Sequence, residues 1–269
     1  MQQNPEFVAF ARAVHKGDVR GVRAALAGSA VARAGINDPV FDFGQRALHV
    51  AATSIPMLEV LLEFGADVSL LSDWKNGPYS VLDNSSEESA RFLISRGASL
   101  TPNAAARLGW FDELKRLVGA SPTAVHLRGG DGQQPLHQAR TVEIADYLLD
   151  HGAGIDVPCI DHSSTPAQYA LVERPDVCRR LLTRGARPDI FMAAGLGDDE
   201  LAGLLIADDP ACVSARINAP GYAPVPEFNI YCWTLGFGLS PHEVARALRL
   251  HDCRVSRFGQ DTLLRGFRS

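Results

Sequence analysis

Apolar residues along this chain recur at helical spacing, in short pairs of segments separated by polar turns. Residues 5–28 show the pattern first. Phe7, Val8, Phe10, Ala11 and Val14 share one helical face, and Val19, Val22, Ala25 and Leu26 share another. Gly17 and Asp18 form the turn between them, with Asp18 placed to cap the second segment. A helix pair is therefore predicted here. A connection through Gly35, Asp38-Pro39 and Gly44 follows over 29–44, and further units span about 45–68 and 72–99.

The clearest unit begins at Gln134-Pro135-Leu136-His137-Gln138-Ala139 and continues through Ile144-Ala145-Asp146-Tyr147-Leu148-Leu149 to Gly152-Ala153. Pro135 suits a first helical turn, where its missing N–H would have no partner anyway. Gly152 suits the left-handed residue that ends a helix. Leu136, Ala139, Ile144, Leu148 and Leu149 make an apolar surface too small to stand alone. The same Gly-Ala closure recurs at 65–66, 97–98, 119–120 and 185–186, and related openings occur at Arg46-Ala47-Leu48-His49-Val50-Ala51-Ala52 and Ser164-Thr165-Pro166-Ala167-Gln168-Tyr169-Ala170. This layout, about 33 residues long, resembles the ankyrin repeat.

The resemblance covers roughly residues 5–255, with the look of a divergent, bacterial-type array. It implies an all-α fold: an ankyrin-repeat solenoid of stacked helix pairs with short hairpin fingers. It further implies a single domain over residues 1–255, of about eight units, with 256–269 as a C-terminal cap or tail carrying Arg257, Arg265 and Arg268. In that family the histidine at positions 49 and 137 typically bonds backbone between neighbouring turns, so a structural role is expected for both.

A longer period overlies the repeats. His49 and His137 are 88 residues apart, Gly65 and Gly152 are 87, and Gly97 and Gly185 are 88. Gly17, Gly109 and Gly195 mark irregular units in which a helix starts almost at once, at Thr101-Pro102 and again at Arg187-Pro188. Three blocks are expected: 5–100, 101–188 and an incomplete 189–255. In the last, Ser240 and Glu243 have capping-box spacing, with Pro241 in the first turn.

Candidate chemistry is sparse. His151, Cys159, His162 and Cys178 are metal-ligand types, but no doubled CxxC or HxxxH fixes a geometry. Asp161-His162-Ser163 falls on a finger without a nucleophile elbow. Arg128-Gly129-Gly130-Asp131-Gly132 lacks the spacing and Lys-Ser/Thr partner of a phosphate loop. No catalytic residue, metal or cofactor is expected. His242, His251 and Cys253 suggest no site by themselves.

Partner contacts are expected instead from the concave finger and first-helix face, through Asp73, Trp74, Lys75, Tyr79, Arg128, Asp131, Gln133, Asp161 and His162. A fingertip tryptophan at 74 has little core to fill. The loop 216–233 adds three prolines and several aromatics, which either cover an apolar end or make a contact surface. The expected function is a protein-protein interaction scaffold or adaptor. The alternative is an enzyme or small-molecule binder with a pocket beneath loop 216–233, using Tyr222, Phe228, Tyr231, Trp233, His242 and Glu243.

A formal charge of −5 argues against nucleic acid and anionic membranes as partners. No apolar run approaches the roughly 18 residues of a membrane span. The opening Met-Gln-Gln-Asn-Pro-Glu has neither a basic n-region nor an apolar h-region. Five scattered cysteines, an odd number, suit a reducing compartment. A cytoplasmic monomer with a protein partner is the expectation.

Overall fold

A computed structural model describes residues 4–218, 225–226 and 228–249. The chain divides into two compact units, Met1–Gln133 and Gln134–Ser269. Among the described residues all regular structure is helical.

In the first unit, side chains that take up unpaired N–H groups set several helix starts. Asn4 opens α1 (Pro5–His15), Asp18 opens α2 (Val19–Gly28) and Ser29 opens α3 (Ala30–Ala34). The sequence reading expects only a connection where α3 lies. Short α4 (Ala47–Val50) and α5 (Ile55–Glu63) follow. Residues 81–84 form turns before Ser86 caps α6 (Glu87–Ser95). Thr101 then starts α7 (Pro102–Leu108), and α8 (Phe111–Ala120) closes the series. Here α1 packs on α2, α3 and α4, and α2 packs on α5. Phe10, Val22, Leu26, Leu58, Leu61 and Leu93 are fully buried in this core.

The second unit repeats the theme. It holds α9 (Pro135–Gln138), α10 (Val142–Asp150), α11 (Pro166–Ala170), α12 (Pro175–Thr183), α13 (Ile190–Leu196), α14 (Asp199–Asp208), α15 (Ile230–Thr234) and α16 (Pro241–Arg249). Thr141, Thr165, Asp189, Asp198 and Asn229 each accept a bond from a first-turn N–H. Ser240 and Glu243 make the expected reciprocal capping box, at 3.2 and 2.7 Å. Within this unit α9 packs on α10 and α11, α11 on α12, and α13 on α14 and α16.

One expectation, the place of the third break, needs correction. The loop at 41–45 closes on an isolated antiparallel bridge between Phe41 and Gln45. Backbone bonds close comparable loops at Gly129–Gln133 (2.9 Å), Ser72–Tyr79 (2.8 Å) and Cys159–Ser164 (2.9 Å). These loops are too short to propagate further pairing. The irregular units break at Gly17, Gly109 and Gly197, with φ of 69°, 77° and 66°. Gly195, expected at the third break, lies inside α13, where an added Cβ would come within 2.8 Å of Leu248.

The long period reaches the backbone itself. Phe43 and Asp131, 88 residues apart, both adopt left-handed conformations, at φ 58° and 56°, and a left-handed glycine follows each. Non-glycine residues rarely enter this region, so its recurrence at one interval marks the same loop design used twice.

Gly77 tests the tightest of these loops. Its φ is 134°, and an added Cβ would lie 2.0 Å from the Gly132 nitrogen. Gly119, inside α8, has nothing within 4 Å of that position. Gly77→Ala is expected to lower stability by more than about 2 kcal/mol, whereas Gly119→Ala leaves it unchanged or raises it by about 0.5–1 kcal/mol. Urea-unfolding midpoints compare the two; equal midpoints would contradict the packing described.

Candidate functional site

Two buried histidines frame the loops. The His49 Nδ1 accepts from the Arg46 N–H at 3.3 Å, and its Nε2 meets the Tyr79 carbonyl at 3.0 Å. His137 repeats this with the Gln134 N–H at 3.1 Å and the Ser164 carbonyl at 3.2 Å. An Nδ1 acceptor with an Nε2 donor is the neutral tautomer. Burial pushes the His49 pKa down to about 4; the Arg46 charge adds to this, and the Tyr79 carbonyl opposes it. Both imidazoles thus tie the start of one helix to a following loop.

In the first unit, the finger at 71–79 is held from several sides. The Ser72 hydroxyl accepts from the Tyr79 N–H at 2.9 Å, and Arg46 donates to the Leu71 carbonyl and, at 3.0 Å, to Asp73. Trp74 is half-buried, edge-on to Phe43 with ring centroids 5.0 Å apart. This corrects the expectation of a free tip: the left-handed turn at Phe43 supplies the surface that Trp74 fills. The Tyr79 hydroxyl donates to Asp131, and Arg128 donates to the Gly132 carbonyl. Gln133, expected to project, is buried, and its carbonyl accepts from the Asn103 amide at 2.8 Å. Asp73, Lys75 and Arg128 are exposed.

Asp83 is half-buried, and desolvation raises its pKa although the Ser80 N–H donates to it at 2.7 Å. Nearby, Arg107 donates to the Leu82 and Ser85 carbonyls at 2.8 and 2.7 Å.

The second unit holds an aromatic cluster centred on His162. This residue is buried, not projecting, because its ring is used inward. The His162 Nδ1 lies 3.0 Å from the Tyr169 hydroxyl, and its backbone N–H donates to the Cys159 sulfur at 3.3 Å. The same hydroxyl lies 3.3 Å from Cys159, and Asp161 lies 3.4 Å from His162 Nε2. Tyr169 also packs edge-on to His137, at 5.4 Å between centroids.

On the outer side, Phe228 stacks on His162 at 5.4 Å and 15°. Trp233 stands perpendicular to both rings, at 6.1 and 6.2 Å. Phe228 is 44% exposed and Trp233 is 42% exposed. An aromatic surface is thus fixed from below by hydrogen bonds and open above. Tyr169, its main support, is not among the residues the sequence suggests for a site; there it stands only as part of the helix opening at 164–170.

Two of the other groups suggested for a pocket, Tyr231 and Glu243, are committed elsewhere. Tyr231 is fully buried, and its hydroxyl donates to Asp189 at 2.8 Å. Burial raises the Asp189 pKa against the hydrogen bonds from Gln168 and Tyr231, and the Cys178 thiol is pushed up to about 12, mainly by burial and then by Asp189. Glu243 accepts from Ser240, whose N–H and hydroxyl hold its pKa down, while His242 is exposed. Tyr222, the centre of loop 216–233 and the 256–269 segment lie outside the described residues. Of the sulfur and imidazole groups considered for a metal, His151 turns back onto its own helix, 2.8 Å from the Tyr147 carbonyl.

Among the described residues no helix is long and apolar enough to cross a membrane. No protein-family model matches the sequence, and no curated protein matches it at a significant level.

The buried neutral His49 makes stability depend on pH. Its folded pKa lies below the unfolded value, so its contribution is complete above about pH 6.5 and is lost as pH falls toward 4. The gap in unfolding free energy between the wild type and His49→Gln is expected to narrow by roughly 3 kcal/mol from pH 7 to pH 4. Urea titrations at both pH values measure the gap, and a constant gap would contradict the buried neutral ring.

Proposed function

We propose that this chain is a non-enzymatic protein-binding scaffold or adaptor of the ankyrin-repeat kind, acting as a cytoplasmic monomer. The observation that carries the reading is the Phe228–Trp233 pair, half-exposed yet fixed on His162. Exposed aromatic side chains whose rotamers are already set lose little entropy on binding, which is why such groups dominate interface energies. Exposed Asp73, Lys75 and Arg128 on the first unit offer polar contacts of the rim type. Four buried free thiols, Cys159, Cys178, Cys212 and Cys232, suit a reducing compartment.

Trp74 and Tyr79 are poor probes of this function, because they hold their own loop through Phe43 and Asp131. The paired change Phe228→Ala/Trp233→Ala is the better one. Full-length wild type and variant, matched for unfolding midpoint, are used to capture and quantify binding proteins from cell extract. The expected result is a protein set recovered at least about tenfold less by the variant, as for the loss of two hot-spot side chains. Unchanged recovery would contradict the proposed surface, and Asp73→Ala/Lys75→Ala measures the separate share of the first unit.

A further inference from the structure

The helices α2, α8 and α14 each follow one of the left-handed breaks at Gly17, Gly109 and Gly197. All three are ten residues long and comparable position by position. The first buries Val22 and Leu26, and the second buries Leu114 and Val118. In α14 no residue is buried, although it carries Leu201, Leu204, Leu205 and Ile206. Leu201 and Leu204 stand where α8, 88 residues earlier, has Glu113 and Arg116.

A solvated helix face gains nothing from leucine at positions that its sister helix leaves charged. Leu201 and Leu204, three residues apart, share one face of α14, and Leu204 is 64% exposed. In the first unit α5 packs on α2, whereas the matching last helix, α16, packs chiefly on α13. The face therefore runs beside an open groove of about 320 Å³, whose apolar lining is Leu182 of α12, Leu196 of α13 and Leu201 and Leu204 of α14.

Charge selects the occupant. Asp198, Asp199 and Glu200 stand at one end of α14 and Asp208 and Asp209 at the other, and the helix has no lysine or arginine. Arg179 also lines the groove, but its guanidinium is engaged, donating to the Leu196 carbonyl at 2.6 Å and lying 4.0 Å from Asp176, while Asp198 and Glu200 line the same groove. An apolar floor with acidic ends complements a segment that is apolar on one side and basic on the other.

We propose that the α12–α14 groove is a docking site for a basic amphipathic helix of a partner protein. Its apolar side chains enter between Leu182, Leu201 and Leu204, and its lysines or arginines face the acids at both ends of α14. This surface is distinct from the Phe228–Trp233 pair and does not rest on it.

Fluorescein-labelled 15-residue peptides of alternating amphipathic Leu/Lys and Leu/Glu composition are titrated with the full chain, with Leu204→Asp and with Phe228→Ala/Trp233→Ala. The Lys peptide is expected to bind, to weaken with added salt, and to lose at least tenfold in affinity with Leu204→Asp. That loss runs against the extra negative charge, so it separates the groove from general attraction to an acidic protein. The aromatic double variant is expected to bind as the wild type does.

Equal binding by wild type and Leu204→Asp, or equal binding of the Glu peptide, would overturn the proposal. A concentration-dependent dimer in sedimentation, abolished by Leu204→Asp, would overturn it by assigning the face to a second copy. A dye on Leu204→Cys that is shielded in the free monomer, and exposed when Arg254, Arg257, Arg265 and Arg268 become Glu, would assign the groove to residues 250–269 of the same chain and equally overturn it.

Discussion

Helices of four to eleven residues do not persist alone in water, because nucleation costs more than so few hydrogen bonds return. Every α-helix among the described residues is of that size. Stability must come from side chains such as Leu26, Leu58, Leu93 and Leu148, which are fully buried between elements although no helix could shield them by itself. The loops matter for the same reason. Buried His49 and His137 convert a helix start and a neighbouring loop into one unit, and left-handed Phe43 and Asp131 set where the next opening begins.

Much of this was legible because it is local. Asp18 and Ser240 cap helices at the expected positions, and Thr101 and Thr165 stand in the expected helix openings, since a cap needs only a side-chain oxygen and an N–H two or three residues on. The 88-residue interval between His49 and His137 was also visible, and both rings bond backbone at matching places. What failed was non-local. Nothing near Trp74 in sequence reveals that Phe43 lies against it, and the use of the His162 ring depends on Tyr169 and Phe228. Gly195 and Gly197 are alike as letters; the former lies inside α13, and the latter takes the left-handed conformation that ends it.

The candidate contact surfaces follow from departures from the repeated pattern rather than from the pattern itself. Where a position recurs with the same burial, it serves the fold. Where α14 carries leucine in place of charge, or where Phe228 and Trp233 stay half-open above a hydrogen-bonded base, the sequence maintains apolar surface that the described fold does not use. The buried acid Asp189 also serves the fold, since Gln168, the Met192 N–H and the Tyr231 hydroxyl all donate to it.

Native-state hydrogen exchange on Leu58→Ala tests most directly whether short helices survive only through their neighbours. Leu58 is fully buried in α5, and α2 packs on that helix. The account predicts that amides of Val19–Gly28 in α2 lose protection together with those of Ile55–Glu63. Faster exchange confined to α5, with α2 as protected as in the wild type, would contradict it.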